Sequence, residues 1–197
     1  MGKDQIDEQI KKTRHDLKKH LQSLNGYLYS EIPDIEGMRR YLAEYTQRTL
    51  ILGDMVYTDS IVVNTILNAK LMFCREKGIQ TEVYVCRKLK QISEVDMCSI
   101  LGNALDNAVT AAGSYEGERY IEVFSEKKHD MLLITVDNSF DGILLQEKDK
   151  IYSKKREKGE EGIGILSIKK LCGKNGGTCK FEADGNRFQA SFLLKNM

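Results

Sequence analysis

The chain has 197 residues, of which 41% are hydrophobic and 30% charged, and its formal net charge is +1. This balance excludes a general nucleic-acid or membrane-surface binder, which would show a basic excess. Five cysteines, an odd number with no C-x-x-C pair, argue against a disulfide framework or a zinc site. The first residues are strongly charged, and no apolar run reaches the roughly 18 residues of a membrane span. We expect a reduced cytosolic protein of one or two small domains.

The N-terminal part has the pattern of a helix. Leucine and isoleucine recur at heptad spacing, at Ile10, Leu17, Leu21, Leu24 and Leu28. Pro33 and Gly37 then interrupt the pattern, and a second helix is expected from Met38 to about Met55. Two helices make a poor core, so we predict an antiparallel hairpin that dimerises into a four-helix bundle. The alternative is a hairpin that docks on the rest of its own chain.

The remainder mixes helical and strand patterns. The periodicity predicts helices over 61–78, 93–114 and 163–171, strands over 80–86, 119–125 and 130–138, and a closing hairpin over 178–194. The fold class is therefore α+β, with three helices packed on a mixed sheet in an α/β sandwich. We place a helical-hairpin domain at 1–58 and the sandwich domain at 59–197, since the change of pattern falls near residues 56–62.

A polar stripe runs along the helix that contains "ILGNALDNAVTAA". Asn103, Asn107 and Thr110 are spaced at i, i+4 and i+7, opposite an apolar face. Asparagine is a mediocre helix former, so two on one stripe need a reason. They form either an ordinary solvated face or a site where an amide oxygen completes a magnesium shell made of phosphates and water.

Two further segments carry candidate chemistry. The strand "LLITVDNSF" ends in Asp137-Asn138, where a carboxylate can accept a hydrogen bond from the adenine amine, although an Asx turn is the commoner role. In "EEGIGILSIKKL", Gly162 and Gly164 precede a helix, so backbone N–H groups and the helix dipole can hold phosphate. The alternative there is a simple turn. Each signal is weak alone, but their order along the chain is informative.

That order resembles the GHKL ATPases, and more closely the catalytic domains of sensor histidine kinases. "LGNALDNAVTAA" resembles their asparagine box, "VDNS" a degenerate first glycine box, and "EGIGILSIKKL" the second glycine box. "RHDLKKHLQSLNGYL" is similar to the phosphoacceptor helix of peptide-pheromone-sensing kinases of the accessory-gene-regulator type, and "NTILNAKLMFCREKGI" to the first helix of their ATPase domain. The resemblance implies a dimerising helical hairpin followed by an ATP-binding sandwich of GHKL (Bergerat) type.

The resemblance also implies residue roles. His15 would be phosphorylated, Asp16 would orient or deprotonate it, and Asn107 would hold Mg²⁺. Asn103 would position groups at the γ-phosphate. For the adenine amine the degenerate box leaves Asp137 and Asn138 open, and Asp137 is preferred. The further nucleotide contacts would come from Ala111, Gly162, Ile163, Gly164 and Ile165, and residues 141–161 would form a lid over ATP.

The function implied is that of the cytoplasmic portion of a bacterial membrane-bound sensor kinase. It would bind ATP and Mg²⁺, autophosphorylate His15 as a homodimer, and pass the phosphoryl group to an aspartate in the receiver domain of a response regulator. Lys19 stands where phosphatase-competent relatives carry Asn or Thr, which leaves phosphatase activity open. The alternatives are a GHKL nucleotide-binding regulator without kinase activity and a structural dimerisation protein whose glycines only form turns.

Overall fold

The computed structural model describes residues 3–46, 55–89, 92–143, 146–147, 150–151 and 162–195. The chain divides into two compact units, Met1–Ile51 and Leu52–Met197. None of the helices in the described ranges is both long and apolar enough to cross a lipid bilayer.

The first unit consists of two helices, α1 (Lys3–Leu28) and α2 (Ile35–Thr46). Asp34 begins α2 as its cap, because its Oδ1 accepts the backbone N–H of Gly37 at 2.7 Å. The expectation that Gly37 breaks the pattern and that the helix starts at Met38 is therefore wrong. Gly37 lies in the first turn, where a Cβ would collide with the side chains of Asp34 and Tyr27. The end of α2 predicted over 47–55 falls largely outside the described residues.

Aromatic side chains join α1 to α2. The Nδ1 of His20 lies 2.5 Å from the Tyr41 hydroxyl, and the rings of Tyr27 and Tyr41 are 5.9 Å apart between centroids. Leucines of the heptad pattern lie outside this contact between α1 and α2, since Leu17 and Leu21 are each 53% exposed. Within this unit an apolar stripe on α1 is therefore left uncovered.

The second unit is a mixed sheet with helices on one side. Its helices are α3 (Ile61–Glu76), α4 (Glu94–Ser114) and α5 (Ile163–Lys174). Its main strands are β1 (Gln80–Tyr84), β2 (Tyr120–Lys128), β3 (Met131–Ser139), β6 (Thr178–Asp184) and β7 (Arg187–Lys195). They lie in the order β1-β2-β3-β7-β6, with only the β1–β2 pair parallel. The predicted α+β sandwich with a mixed sheet is confirmed.

Two short strands, β4 (Gln146–Glu147) and β5 (Lys150–Ile151), pair with each other as a separate antiparallel ribbon. The sequence pattern did not predict them. They lie in the segment between β3 and α5 that we expected to be a lid.

Side-chain alternation gives the five-stranded sheet two different sides. The helix-facing side carries Ile121 and Val123 of β2, Ile134 and Val136 of β3, and Phe192 of β7, all buried in one core with α3, α4 and α5. The open side carries residues of the other parity. Its members include Phe124, which is 43% exposed, and Leu193, which is 37% exposed. Any residue of β3 is therefore assigned to one side by its register alone.

The segment before α3 packs on the second unit. The Asn64 side-chain oxygen accepts the backbone N–H groups of Tyr57 at 3.1 Å and Thr58 at 2.9 Å, and Asn68 donates to the Met55 carbonyl oxygen at 2.9 Å. Residues 55–60 therefore belong with the sandwich structurally. The boundary between 58 and 59 drawn from the sequence remains a prediction.

Candidate functional site

Helices α4 and α5 bring the asparagine segment and the glycine segment together. A Cβ added at Gly164 would lie 3.3 Å from the Oδ1 of Asn103, closer than most Cβ contacts in proteins. The Asn103 amide is held in place because its Nδ2 donates to the Ser99 carbonyl oxygen at 2.7 Å. Glycine at 164 therefore lets the start of α5 approach the middle of α4.

A buried carboxylate joins the other ends of the same two helices. Asp96, in the first turn of α4, accepts hydrogen bonds from Lys174 Nζ at 2.9 Å and Asn175 Nδ2 at 3.0 Å. The bond from Lys174 holds the pKa of the Asp96 carboxyl below its usual value. Asp96 therefore fixes α5 along α4, and so fixes the spacing between Asn103 and Gly164.

The N-terminus of α5 presents backbone N–H groups that no described residue accepts. Gly162 is the N-cap, with φ −61° and ψ 130°, and its carbonyl accepts the N–H of Leu166 at 3.0 Å. The N–H groups of Ile163, Gly164 and Ile165 have no acceptor within the helix, as in any first turn, and glycine supplies no capping side chain. A helix end of this kind can hold a phosphate.

Asn107 lies one turn beyond Asn103 on α4 and is exposed, and Ala111 follows one turn later, partly buried. Among the described residues there is no cluster of three or more His, Cys, Asp or Glu side chains that could hold a metal ion. A cation at Asn107 would need most of its ligands from elsewhere. Phosphate oxygens and water are the ligands that suit Mg²⁺.

Asn138 points to the helix-facing side of the sheet. It pairs with Ile121 on β2 and Phe188 on β7, it shares the parity of Ile134 and Val136, and it is 2% exposed. Its Nδ2 donates to the Ser139 carbonyl oxygen at 2.9 Å. No described residue donates to its Oδ1. A buried amide oxygen without a donor is costly, so it marks a place for a ligand.

Asp137 points to the open side. Its Oδ1 accepts the Tyr120 hydroxyl at 3.0 Å, and its Oδ2 accepts Arg187 Nε at 2.7 Å and Gln189 Nε2 at 3.0 Å. Of the two residues left open for adenine, Asn138 therefore faces the helices and Asp137 faces the open side. Consecutive strand residues face opposite sides, and the carboxylate is already bound on the side away from the helices. Parity with Val136 was the sequence signal that favoured Asn138.

His15 and Asp16 belong to the first unit. Their side chains are 64% and 52% exposed, and the His15 Nδ1 lies 3.5 Å from the Asp16 Oδ1. The imidazole is thus accessible in this unit, with a carboxylate beside one ring nitrogen. Of the predicted lid, most residues fall outside the described ranges, which include only 141–143 and the two short strands.

Helices on one side of a mixed sheet, with an asparagine-bearing helix against a glycine-capped helix, define an α/β sandwich. A family model described as the GHKL domain matches residues 92–195, more than half of the chain. The chain belongs to this family.

Two curated relatives have kinase names. The sensor histidine kinase DpiB of Escherichia coli strain K12 is 26% identical over 189 residues, which cover 90% of this chain and 34% of that protein. The autoinducer 2 sensor kinase/phosphatase LuxQ of Vibrio vulnificus strain YJ016 is 30% identical over 122 residues, which cover 55% of this chain and 14% of that protein. The chain thus spans about a third or less of the relatives it matches.

Solved structures share the fold. The catalytic domain of histidine kinase ThkA superposes with a TM-score of 0.56 at 19% identity, covering 68% of this chain and 91% of that one. Acinetobacter baumannii histidine kinase AdeS gives 0.54 at 15% identity, covering 92% and 98%. ThkA in complex with response regulator protein TrrA gives 0.54 at 15% identity, covering 96% and 61%. The homologues are sensor histidine kinases, and the GHKL domain fits an ATP-dependent histidine kinase.

Proposed function

We propose that the chain is the cytoplasmic portion of a membrane-bound sensor histidine kinase. It binds ATP with Mg²⁺, phosphorylates its own His15, and passes the phosphoryl group to an aspartate in the receiver domain of a response regulator. The main observation that supports a nucleotide site is the buried Asn138 Oδ1, which has no donor among the described residues. Family membership and the names of the relatives support the kinase reading.

Asn138 is the residue we assign to the base. Its Nδ2 is engaged by the Ser139 carbonyl, so its free atom is an acceptor. The adenine amine is a donor and satisfies that acceptor. Guanine presents a carbonyl oxygen at the same ring position, which would face the amide oxygen without a proton between them. A polar group left unpaired in this way costs about 1–3 kcal/mol, enough to favour ATP.

The phosphates are assigned to the start of α5 and the metal to α4. The backbone N–H groups of Ile163, Gly164 and Ile165 hold phosphate oxygens at the positive end of the helix dipole. Asn107 supplies an exposed amide oxygen to Mg²⁺, and Asn103 orients groups at the γ-phosphate from its position beside Gly164. Mg²⁺ held at Asn107 would supply positive charge that offsets the charge of the phosphates. Ala111 lines the same side of α4, one turn beyond Asn107.

His15 is assigned as the acceptor. A neutral ring nitrogen of His15 attacks the γ-phosphorus, the bond from that phosphorus to the β–γ bridging oxygen breaks, and ADP leaves with the electron pair. The other nitrogen keeps or releases its proton, and the Asp16 carboxylate, 3.5 Å from Nδ1, is placed to orient it or accept it. The exposure of His15 within its unit suits a group that must meet two different partners.

The partners follow from the same assignment. ThkA forms a complex with a response regulator, and we extend that kind of partner to this chain. A homodimer through α1 and α2 would cover the exposed leucines of α1. We retain the accessory-gene-regulator-like subtype on the motif that surrounds His15, and residues 141–161 as a lid over the nucleotide.

Nucleotide titration of Asn138 variants tests the site. Asn138→Ala should weaken ATP binding about tenfold or more, which is about 1.4 kcal/mol, because the adenine amine loses its acceptor. Asn138→Asp keeps an acceptor and is the matched control, and it should bind ATP far better than the alanine variant. Calorimetry in which both variants equal the wild type would remove Asn138 from the site.

Incubation with γ-labelled ATP tests the kinase activity separately. The wild-type chain should acquire label that is labile to acid and stable to base, and His15→Gln should acquire none while it still binds ATP. A chain that binds ATP but never becomes labelled would instead be a nucleotide-binding regulatory module of the GHKL family.

A further inference from the structure

The open side of the sheet carries a buried carboxylate that the proposed mechanism does not use. Asp137 is 4% exposed, yet α3, α4 and α5, the sandwich helices that the structure describes, pack on the other side of the sheet. Three side chains from the two neighbouring strands bury it instead: Tyr120 of β2 and Arg187 and Gln189 of β7. Arg187 also approaches Oδ2 with its terminal nitrogen at 2.5 Å. The cluster formed by Asp137, Tyr120, Arg187 and Gln189 is called the Asp137 cluster below.

The charges in the Asp137 cluster are matched. Hydrogen bonding to Asp137 raises the pKa of Arg187 above its usual value, so the guanidinium stays charged. Burial, with the hydrogen bond to Asp137, raises the pKa of Tyr120 to about 12, so the hydroxyl remains a donor at neutral pH. Buried pairs of this kind are poor sources of net stability but are sensitive to loss of one partner. This suggests a role in fixing geometry.

The cluster joins β3 to β2 through Tyr120 and to β7 through Arg187, one residue before Asn138. Other contacts hold the residues that follow. Ser139 is tied to β2, since its Oγ accepts the Tyr120 N–H at 3.0 Å. Phe140 is tied to the β6–β7 turn, because its N–H donates to the Asn186 carbonyl at 2.9 Å and its carbonyl accepts Asn186 Nδ2 at 3.0 Å. Asn138 therefore lies between residues that are held on both flanking sides.

The orientation of the Asn138 amide depends on this frame. Its Nδ2 donates to the Ser139 carbonyl oxygen, and among the described residues this bond alone decides which amide atom is left for a ligand. If the end of β3 rotates, the amide can turn and present N–H₂ in place of oxygen. An amide presenting N–H₂ loses the hydrogen bond from the adenine amine, so the preference for adenine over guanine falls.

We propose that Asp137 is a positioning residue that sets the base selectivity of the nucleotide site from the opposite side of the sheet. The inference rests on the proposed function, because it needs ATP in contact with Asn138. Asp137 does not touch the nucleotide. It anchors Tyr120 and Arg187, which hold β3 so that the Asn138 oxygen faces the base.

The test compares three ligands in the full chain: ATP, GTP and inorganic tripolyphosphate, each titrated with Mg²⁺ by calorimetry. Asp137→Asn should weaken ATP binding about tenfold, which corresponds to one lost buried hydrogen bond. The affinities for GTP and tripolyphosphate should change by no more than about twofold. The preference for ATP over GTP should therefore fall about tenfold. Arg187→Gln, at a residue that is 57% exposed, should reproduce the same loss and serves if the Asp137 variant does not fold. Glu122→Gln is the matched control, since Glu122 lies directly opposite Asp137 on β2 and the change removes one negative charge from the same side.

Two results would overturn the inference. If ATP and tripolyphosphate lose affinity equally in both variants, the cluster only stabilises the fold. If the variants keep the full ATP preference, Asp137 has no influence on the base. The wild-type chain tests the proposed site itself. If it binds tripolyphosphate without preferring ATP, or binds no nucleotide, the proposed site fails together with the inference. If the wild type prefers ATP and only the variants give the results above, the inference alone fails.

Discussion

The two units of this chain use leucine in opposite ways. In the helical unit Leu17 and Leu21 are each 53% exposed, whereas in the sandwich unit Leu67 and Leu194 are 0% exposed. Full burial of a leucine contributes about 1.5–3 kcal/mol, so each exposed leucine of α1 leaves roughly half of that unrealised. The sandwich completes its core from its own residues, but the helical unit does not.

This difference has a functional reading. A nucleotide site needs a rigid frame, and the sandwich supplies one through its core and the Asp137 and Asp96 contacts. An acceptor histidine must remain accessible, and the two-helix unit leaves His15 exposed. The uncovered apolar stripe of the same unit favours packing against a second copy.

Cutting the chain between the units should have the largest effect. A fragment of residues 55–197 keeps Tyr57 and Thr58 on Asn64, so we expect it to fold, to be monomeric and to bind ATP as the full chain does. It should acquire no histidine label because His15 is absent. Light scattering that finds the fragment dimeric would place the interface on the sandwich instead.

A charge placed on the apolar stripe of α1 should dissociate the proposed dimer in the full-length chain. Leu21→Glu is harmless in a monomer, where the side chain is exposed, but an unpaired carboxylate in a dimer interface costs about 3 kcal/mol or more. The dimer should therefore dissociate at least about 100-fold more readily. Lys18→Glu, on the same helix, is the control and should leave sedimentation unchanged. Equal sedimentation of both variants would exclude this stripe as the interface.

Removing the metal-binding amide should have a smaller effect, confined to the sandwich. Asn107→Ala should weaken ATP binding in the presence of Mg²⁺ about tenfold, as expected for one ligand or hydrogen bond to a charged group. With excess chelator, the ATP affinity of the variant should differ from that of the wild type by less than about twofold. Similar losses under both conditions in a calorimetric titration would mean that Asn107 acts by packing.

The smallest effect is on stability and depends on pH. The pKa of Asp96 is lowered by Lys174, so its contribution is fully present above the ordinary aspartate value of 3.8 and is lost as pH falls through the lower folded value. Asp96→Asn should therefore be less stable than the wild type at pH 7, and the difference should shrink below pH 3.8. Urea unfolding at several pH values measures this. Glu182→Gln, which removes the exposed pair with Lys180, should show no comparable pH dependence.

The sequence allowed most of the sandwich to be predicted, because each long element keeps one period. The runs 93–114 and 130–138 correspond to α4 and β3 within a residue or two. Capping chemistry was harder. Asp34 caps α2, which begins at Ile35, three residues before Met38, and the position of Gly37 obscured this.

The site was predicted in part, for a physical reason. Local periodicity placed Asn103 and Asn107 on one stripe, but it could not show that Gly164 contacts Asn103, since that depends on the packing of α5 against α4. The partners of Asp137 come from strands that are distant in sequence. The β3–β7 register that brings them together cannot be read from the amino-acid sequence. Without that register, the choice between Asp137 and Asn138 followed a motif rather than the alternation of the strand.

The central claim is that the asparagine stripe, the end of β3 and the glycine-capped α5 form one ATP site. A crystal structure of the chain with Mg²⁺ and a non-hydrolysable ATP analogue tests it most directly. We predict the adenine amine within hydrogen-bonding distance of Asn138 Oδ1, the phosphates at the N–H groups of Ile163 to Ile165, and the metal at Asn107. An adenine amine bound to Asp137, or a nucleotide elsewhere on the sandwich, would contradict the account.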